Sequence, residues 1–229
     1  MFFAHFASRR TLLTLAGLAV MGLTVAAAPR QSHAQTITDL FNTGVDFSGA
    51  LLNVFDLDPH YTHDFDNTFA PDAFVTYGPY ADNPTSNYIS IDQNQGFGPA
   101  YIVNFQTSFT LPNNADLSTV AIVGNWSTDD LGDDILINGT STGITSTGFG
   151  GFTNFILPTG SYVSGTNTLQ FVVNNQGGPS ALNVYFDSAT FSTGGVAPTP
   201  EPGSIALLAG LSLSGATFLR RRRSARKPS

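Results

Sequence analysis

The chain has 229 residues, rich in Gly (23) and Pro (13) and with only 11% charged residues, which leaves room for one loop-rich all-β domain plus targeting segments. All nine Lys and Arg lie near the ends (Arg9, Arg10, Arg30, Arg220 to Arg223, Arg226 and Lys227), so Gln35 to Thr199 holds fifteen Asp and no cationic Lys or Arg. That balance excludes nucleic acid and nucleotide phosphates as partners, and the absence of cysteine excludes disulfides and thiolate metal sites.

The first segment reads MFFAHFASRR, then TLLTLAGLAVMGLTVAAA, then PRQSHAQ. A basic start, an apolar run and small residues at Ser32 and Ala34 predict a secretory signal over residues 1–34, cut between Ala34 and Gln35. Cleavage after Ala28 is the weaker alternative, because Pro29 would follow the cut bond. Ser8-Arg9-Arg10-Thr11-Leu12-Leu13 resembles the twin-arginine export motif, except that Leu12 stands where the motif usually has Phe, and the general secretory and twin-arginine routes both stay open. Signal peptidase and an export machinery are the partners implied.

From Ile37 to Phe191 the apolar residues alternate, and no stretch has helical spacing. Short strands are expected near Leu51 to Phe55, Ala73 to Tyr77 and Tyr88 to Ile91. "AYIVNFQTSFTL" puts Tyr101, Val103, Phe105 and Phe109 on one face against Asn104, Gln106 and Ser108. "STVAIVGNW" is apolar on both faces, which predicts a central strand covered on both sides. "DILINGTS" runs into Asn138-Gly139, a hairpin signal. A further strand is expected near Phe152 to Leu157. "TLQFVVNN" alternates Leu169, Phe171 and Val173, and "LNVYFDSATF" sets Leu182, Val184 and Phe186 against Asn183, Tyr185 and Asp187. Eight or more strands joined by Asn, Asp, Gly and Ser turns predict an antiparallel two-sheet sandwich of jelly-roll type over 35–192. Residues 193–199 read as a flexible linker. The stretches "FNTGVDFSGALL", "NWSTDDLGDDILINGTSTG" and "GTNTLQFVVNNQGGPSALNVYF" resemble the galactose-binding-like jelly-roll modules of secreted bacterial proteins. That resemblance implies glycan binding or a structural role.

Four candidate sites stand out. Asp129, Asp130, Asp133 and Asp134 form the densest acidic cluster, with oxygens suited to calcium, although the same residues also serve as ordinary turn chemistry. His60, His63, Asp64 and Asp66 form a second patch, but the spacing sends the two His to opposite faces of a strand. Trp126, the only tryptophan, reads either as a sugar-stacking platform or as a core ring sharing its face with Val120 and Ile122. Tyr77, Tyr80 and Tyr88 lie in a polar, Pro-containing region as alternative ligand contacts. No catalytic residue is assigned, since no Gly-x-Ser-x-Gly elbow occurs and no Asp pair is singled out. The acidic domain would repel sulfated or uronic glycans unless a metal bridged them, so a neutral glycan is the easier partner.

The chain ends in Pro200-Glu201-Pro202, an apolar run from Gly203 to Leu219, and Arg220, Arg221, Arg222 and Arg223. Seventeen helical residues span about 26 Å, slightly less than a ~30 Å hydrocarbon core, and the arginines would hold that end in the cytoplasm. The two prolines keep the motif extended ahead of the helix. This ordered ending, over 200–227, resembles the PEP-CTERM sorting signal of Gram-negative bacteria. The resemblance implies cleavage by an exosortase, transit through the inner membrane, and arrival at the cell surface or in an exopolysaccharide matrix. The expected role is non-catalytic glycan binding or matrix structure, with a calcium-dependent adhesion module as the alternative and a polysaccharide hydrolase behind both. Glu201→Ala should leave the protein uncleaved in the membrane fraction, and an unchanged mature mass in that variant would sink the sorting assignment.

Overall fold

The computed structural model describes residues 33–193 apart from positions 68, 70, 79 and 82. The export signal up to residue 32, the linker from 194, the Pro200-Glu201-Pro202 motif, the 203–219 segment and Arg220 to Arg223 lie outside the described residues. Among the described residues no helix is long and apolar enough to cross a membrane.

The domain is all-β and antiparallel. Eleven strands run in chain order as β1 His33–Thr36, β2 Leu57–His63, β3 Asp72–Val75, β4 Ile89–Ser90, β5 Tyr101–Leu111 and β6 Ala115–Asp129. They continue as β7 Leu131–Ile137, β8 Thr140–Ser141, β9 Thr153–Ile156, β10 Gly165–Asn175 and β11 Ala181–Thr193. One hydrogen-bonded path joins them in the order β8-β7-β10-β5-β2-β3-β4-β11-β6-β9, with β1 laid on the free side of β11. The path folds back on itself, because rings from strands far apart along it meet. Phe171 of β10 lies 5.9 Å from Trp126 of β6, 6.2 Å from Phe155 of β9 and 6.5 Å from Tyr61 of β2, centroid to centroid. The result is sandwich-like, with the core between the folded layers.

The strands form where period-two apolar residues can all face that core. In β5 the buried side chains are Val103, Phe105, Thr107, Phe109 and Leu111, and in β10 they are Asn167, Leu169, Phe171, Val173 and Asn175. Their register sets Phe171 opposite Phe105 and Val173 opposite Val103, the same-face pairs that stabilise a ladder. The Asn138-Gly139 hairpin forms as its sequence predicts: both residues have positive φ (50° and 78°), and Ile137 pairs with Thr140. Expected strands near Ala73, Tyr88 and Phe152 correspond to β3, β4 and β9.

Three expectations differ. The Leu51 to Phe55 stretch is a turn region, with a single bridge from Leu51 to Val45 and a positive φ at Phe55, so Leu51, Val54 and Phe55 are exposed while Leu52 packs partly against the core. "STVAIVGNW" is not covered on both faces: Val120, Ile122 and Trp126 are buried, while Ala121 is exposed, since β6 lies one strand from the edge beside short β9. In β11 the alternation changes phase at Asp187, where the pairing with β6 slips. Leu182 and Val184 face inward before it, Ala189 and Phe191 after it, as a bulge of one extra residue requires.

β1 was not foreseen. His33 pairs with Thr193 and Gln35 with Phe191, so the expected signal-cleavage bond, Ala34–Gln35, falls in the middle of an exposed edge strand.

Trp126 sits under the backbone of β7. A Cβ added to Gly132 would lie 2.4 Å from the indole Cη2 and 2.8 Å from the Ser146 Cβ, closer than side-chain atoms pack. Gly132→Ala should therefore cost about 1–3 kcal/mol by overpacking, and Trp126→Ala about 3–5 kcal/mol by cavity formation. In urea unfolding, the double variant Gly132→Ala/Trp126→Phe should recover part of the Gly132→Ala loss. Strict additivity would contradict the contact.

Candidate functional site

The segment from the end of β3 to the start of β4 folds over β11 and encloses a cavity of about 230 Å³. Tyr77, Tyr80 and Tyr88 form its walls with Val54, while Thr76, Ser86, Asn87 and Asn183 supply hydroxyl and amide groups. Among the described residues the lining includes no Asp or His.

Each tyrosine is placed by a different constraint. Tyr88 is buried, and its hydroxyl donates to Ser127 Oγ at 2.7 Å. Tyr80 packs on it with ring centroids 4.3 Å apart and donates its hydroxyl to Asp129 Oδ2 at 3.0 Å. Both rings are thus fastened to the last residues of β6. Burial, followed by the neighbouring Asp129 charge, pushes the Tyr80 phenol well above its usual range, so it stays a donor. Tyr77 is 59% exposed at the rim, its ring edge-on to Phe55 at 5.8 Å.

Asn183 closes the floor. It is 1% exposed, and its Oδ1 accepts hydrogen bonds from Ser86 Oγ (2.6 Å) and Thr43 Oγ1 (3.3 Å). Its carboxamide lies on the pocket lining beside Ser86 and Asn87.

The structure separates the other candidates. Asp129, Asp130, Asp133 and Asp134 each take donors of the protein's own: Asp129 takes the Tyr80 hydroxyl, Asp130 the Gln176 N–H (2.6 Å) and Asp133 the Asn174 amide (2.9 Å). Asp134 accepts from the Gly143 N–H at 2.9 Å and from the Ser141 hydroxyl. A bulge at Asp133 in the β7–β10 pairing helps set this pattern, and among the described residues no three His or Asp side chains gather as metal ligands. Trp126 is 0% exposed against Phe171 and Gly132, so it is a core ring and not a sugar platform. His60 stacks on Phe41 at 3.8 Å while His63 turns the other way against Phe105, as the strand spacing predicts. Asp64 is occupied with the backbone N–H and side-chain amide of Asn104 (2.7 and 2.6 Å).

Two residues were not singled out from sequence. Asn183 was read as an outward polar position of an alternating strand, but the chain around Thr43 and Ser86 covers that face as well. The signal was there, since a covered face needs a polar residue only where something bonds it. Asp58 is 0% exposed and holds the Gly44 N–H at 2.6 Å and the His60 N–H at 2.8 Å.

No protein-family model matches this chain, and no curated protein matches it. Fold and site together define a sandwich-like β module with an aromatic-walled pocket whose described lining is uncharged.

Burial pushes the carboxyls of Asp58 and Asp129 from the usual 3.8 up to about 6. The folded state then holds protons that the unfolded chain releases, so the stability they contribute is full below about pH 4 and lost as the pH rises through about 6. Asp46, held low by Ser48 and Ala50 donors, acts in the opposite sense and only in more acid solution. Burial holds the His60 and His63 imidazoles below their usual 6.5, so they add stability as the pH rises towards that value and oppose the two aspartates. The aspartate contribution is therefore read by comparison: between about pH 4 and 7 the urea midpoint of Asp58→Asn or Asp129→Asn should fall less, or rise more, than that of the wild type, and identical pH profiles would show that these carboxyls do not titrate there.

Proposed function

We propose that the chain is an exported, non-catalytic module that binds a neutral glycan in the pocket walled by Tyr77, Tyr80 and Tyr88. The observation that carries this reading is the pocket lining itself, in which the Tyr77, Tyr80 and Tyr88 rings face the hydroxyl and amide groups of Thr76, Ser86, Asn87 and Asn183. A pyranose presents an apolar C–H face to an aromatic ring and hydroxyls to amides, which are the two kinds of surface found here. A charged sugar fits poorly, because the described domain has no Lys or Arg to meet it and many carboxylates to repel it.

The finer fold assignment belongs to the same proposal: a galactose-binding-like jelly roll, consistent with a single antiparallel path folded into a sandwich and with a pocket formed by connecting segments. The sequence supports export by the 1–34 signal, exosortase processing at Pro200-Glu201-Pro202 and delivery to the cell surface or an exopolysaccharide matrix. The calcium-dependent adhesion module is the second reading, resting on Asp129, Asp130, Asp133 and Asp134, although in the described structure these carboxylates also hold Tyr80, Gln176, Asn174 and Gly143.

Isothermal titration against neutral oligosaccharides tests the pocket. Tyr77→Ala should weaken binding about tenfold, near the upper end of what one aromatic contact supplies, with a melting temperature within about 2 °C of wild type. Undiminished affinity in Tyr77→Ala, or equal affinity for uronic oligosaccharides, would overturn the assignment.

A further inference from the structure

We infer that the pocket is one end of a longer aromatic platform, and that its ligand is an extended neutral polysaccharide chain instead of a single terminal sugar. The inference rests on the neutral-glycan reading above and extends it.

Tyr77 belongs to two surfaces at once. It walls the pocket, and its exposed ring also meets the exposed ring of Phe55. The Tyr77 carbonyl accepts a hydrogen bond from the Gln95 side-chain amide, which pins the 92–97 loop against it. That loop carries Phe97, 74% exposed. On the far side of the same loop the Gly96 carbonyl accepts from the Tyr101 hydroxyl at 2.9 Å, and the Tyr101 ring meets half-exposed Phe65 at 4.8 Å. Exposed rings at Phe55, Tyr77, Phe97 and Phe65 are thus tied together through the 92–97 loop: Phe55 meets Tyr77 ring to ring, Gln95 and Gly96 bond to Tyr77 and Tyr101, and Phe97 is carried on the loop itself.

The platform is held in shape before any ligand arrives. Asp92 Oδ1 accepts from the N–H groups of Asn94 and Gly96, both at 2.8 Å, and the Gln95 carbonyl takes the Ser180 N–H at 2.7 Å. Rings on a braced loop lose little freedom on binding, which favours affinity. Exposed aromatic surface on this scale marks an interaction site. Its chemistry selects the occupant. The neighbouring Asp64 and Asp92 disfavour anionic lipid and acidic polymer, and the rings are interleaved with amide and hydroxyl groups instead of forming a continuous aliphatic face. A neutral polysaccharide offers successive C–H faces to successive rings while its hydroxyls stay wet, and each ring engaged adds to the affinity as a linked contact.

The test uses the full chain, expressed with its own export signal and purified in a detergent without a sugar head group. The probes are gluco-, manno- and galacto-oligosaccharide series, from disaccharides to about six units, measured by titration. For at least one series, affinity should rise about tenfold or more with length. Phe97→Ala should remove most of that gain while leaving disaccharide affinity and melting temperature unchanged, and Phe65→Ala should remove a smaller part. Affinity independent of length would overturn the platform and leave the pocket standing. Failure of every series to bind would overturn the neutral-glycan reading, and the platform with it. Weakened self-association of Phe97→Ala in sedimentation, with glycan affinity intact, would assign the rings to contact between copies and overturn the inference.

Discussion

The domain has to accommodate carboxylates without a single Lys or Arg to pair with them, and much of its loop structure follows from that. A buried or half-buried carboxylate without a cation must be met by N–H, amide or hydroxyl donors, or give up its charge. Most of the described aspartates take the first course. Asp46 gathers donors from Ser48 and Ala50, Asp116 from Ser118, Asp92 from Asn94 and Gly96, and Asp134 from Gly143. Others reach across the fold, as Asp39 does to the Thr110 N–H and Asp187 to the Asn125 amide. Because these bonds close turns on themselves, the loops are stiff where one might expect slack, and the pocket is assembled from such loops.

The pocket and the core share a support. The end of β6 carries Trp126 on its inner side, then Ser127 and Asp129, which hold the hydroxyls of Tyr88 and Tyr80. β7 turns back after the single residue Asp130 and brings Gly132 down onto the indole. The tyrosine walls are thus anchored to the best-packed part of the molecule. An anchor of that kind keeps aromatic faces in place without spending loop entropy on each binding event.

Alternation made most of the sheet legible, because β5 and β10 have one covered face and period-two patterning reports that directly. It failed where a local event changed the period or the cover. The slip at Asp187 reverses the phase of β11, and the chain around Thr43 and Ser86 buries Asn183 on the face that looked solvated. Leu51 to Phe55 was apolar enough for a strand, but Leu51, Val54 and Phe55 are spent on an exposed ridge beside the pocket. Composition alone could not separate the acidic residues of a ligand site from those of turns: Asp129, Asp130 and Asp133 are near neighbours in sequence, yet each also holds a different part of the fold. The tyrosines could be named from sequence as contacts, but their convergence depends on the path of the β3–β4 segment over β11, which no local pattern encodes.

β1 lies on the last strand, with Gln35 opposite Phe191 and Thr36 opposite Thr190, so a chain cut at Ala34–Gln35 still begins beside the strand on which it leaves the domain. Mechanically, the two ends are not equivalent. Tension applied between them would open the β1–β11 ladder like a zipper, one pair at a time, starting from the pulled corner. Tension delivered through the C-terminal side alone passes into β11, which is bonded to β6 along most of its length and braced by β4. A molecule held by its C-terminal flank and loaded through a polymer on the far side would thus bear force on its longest ladder, while its weakest strand stays out of the load path.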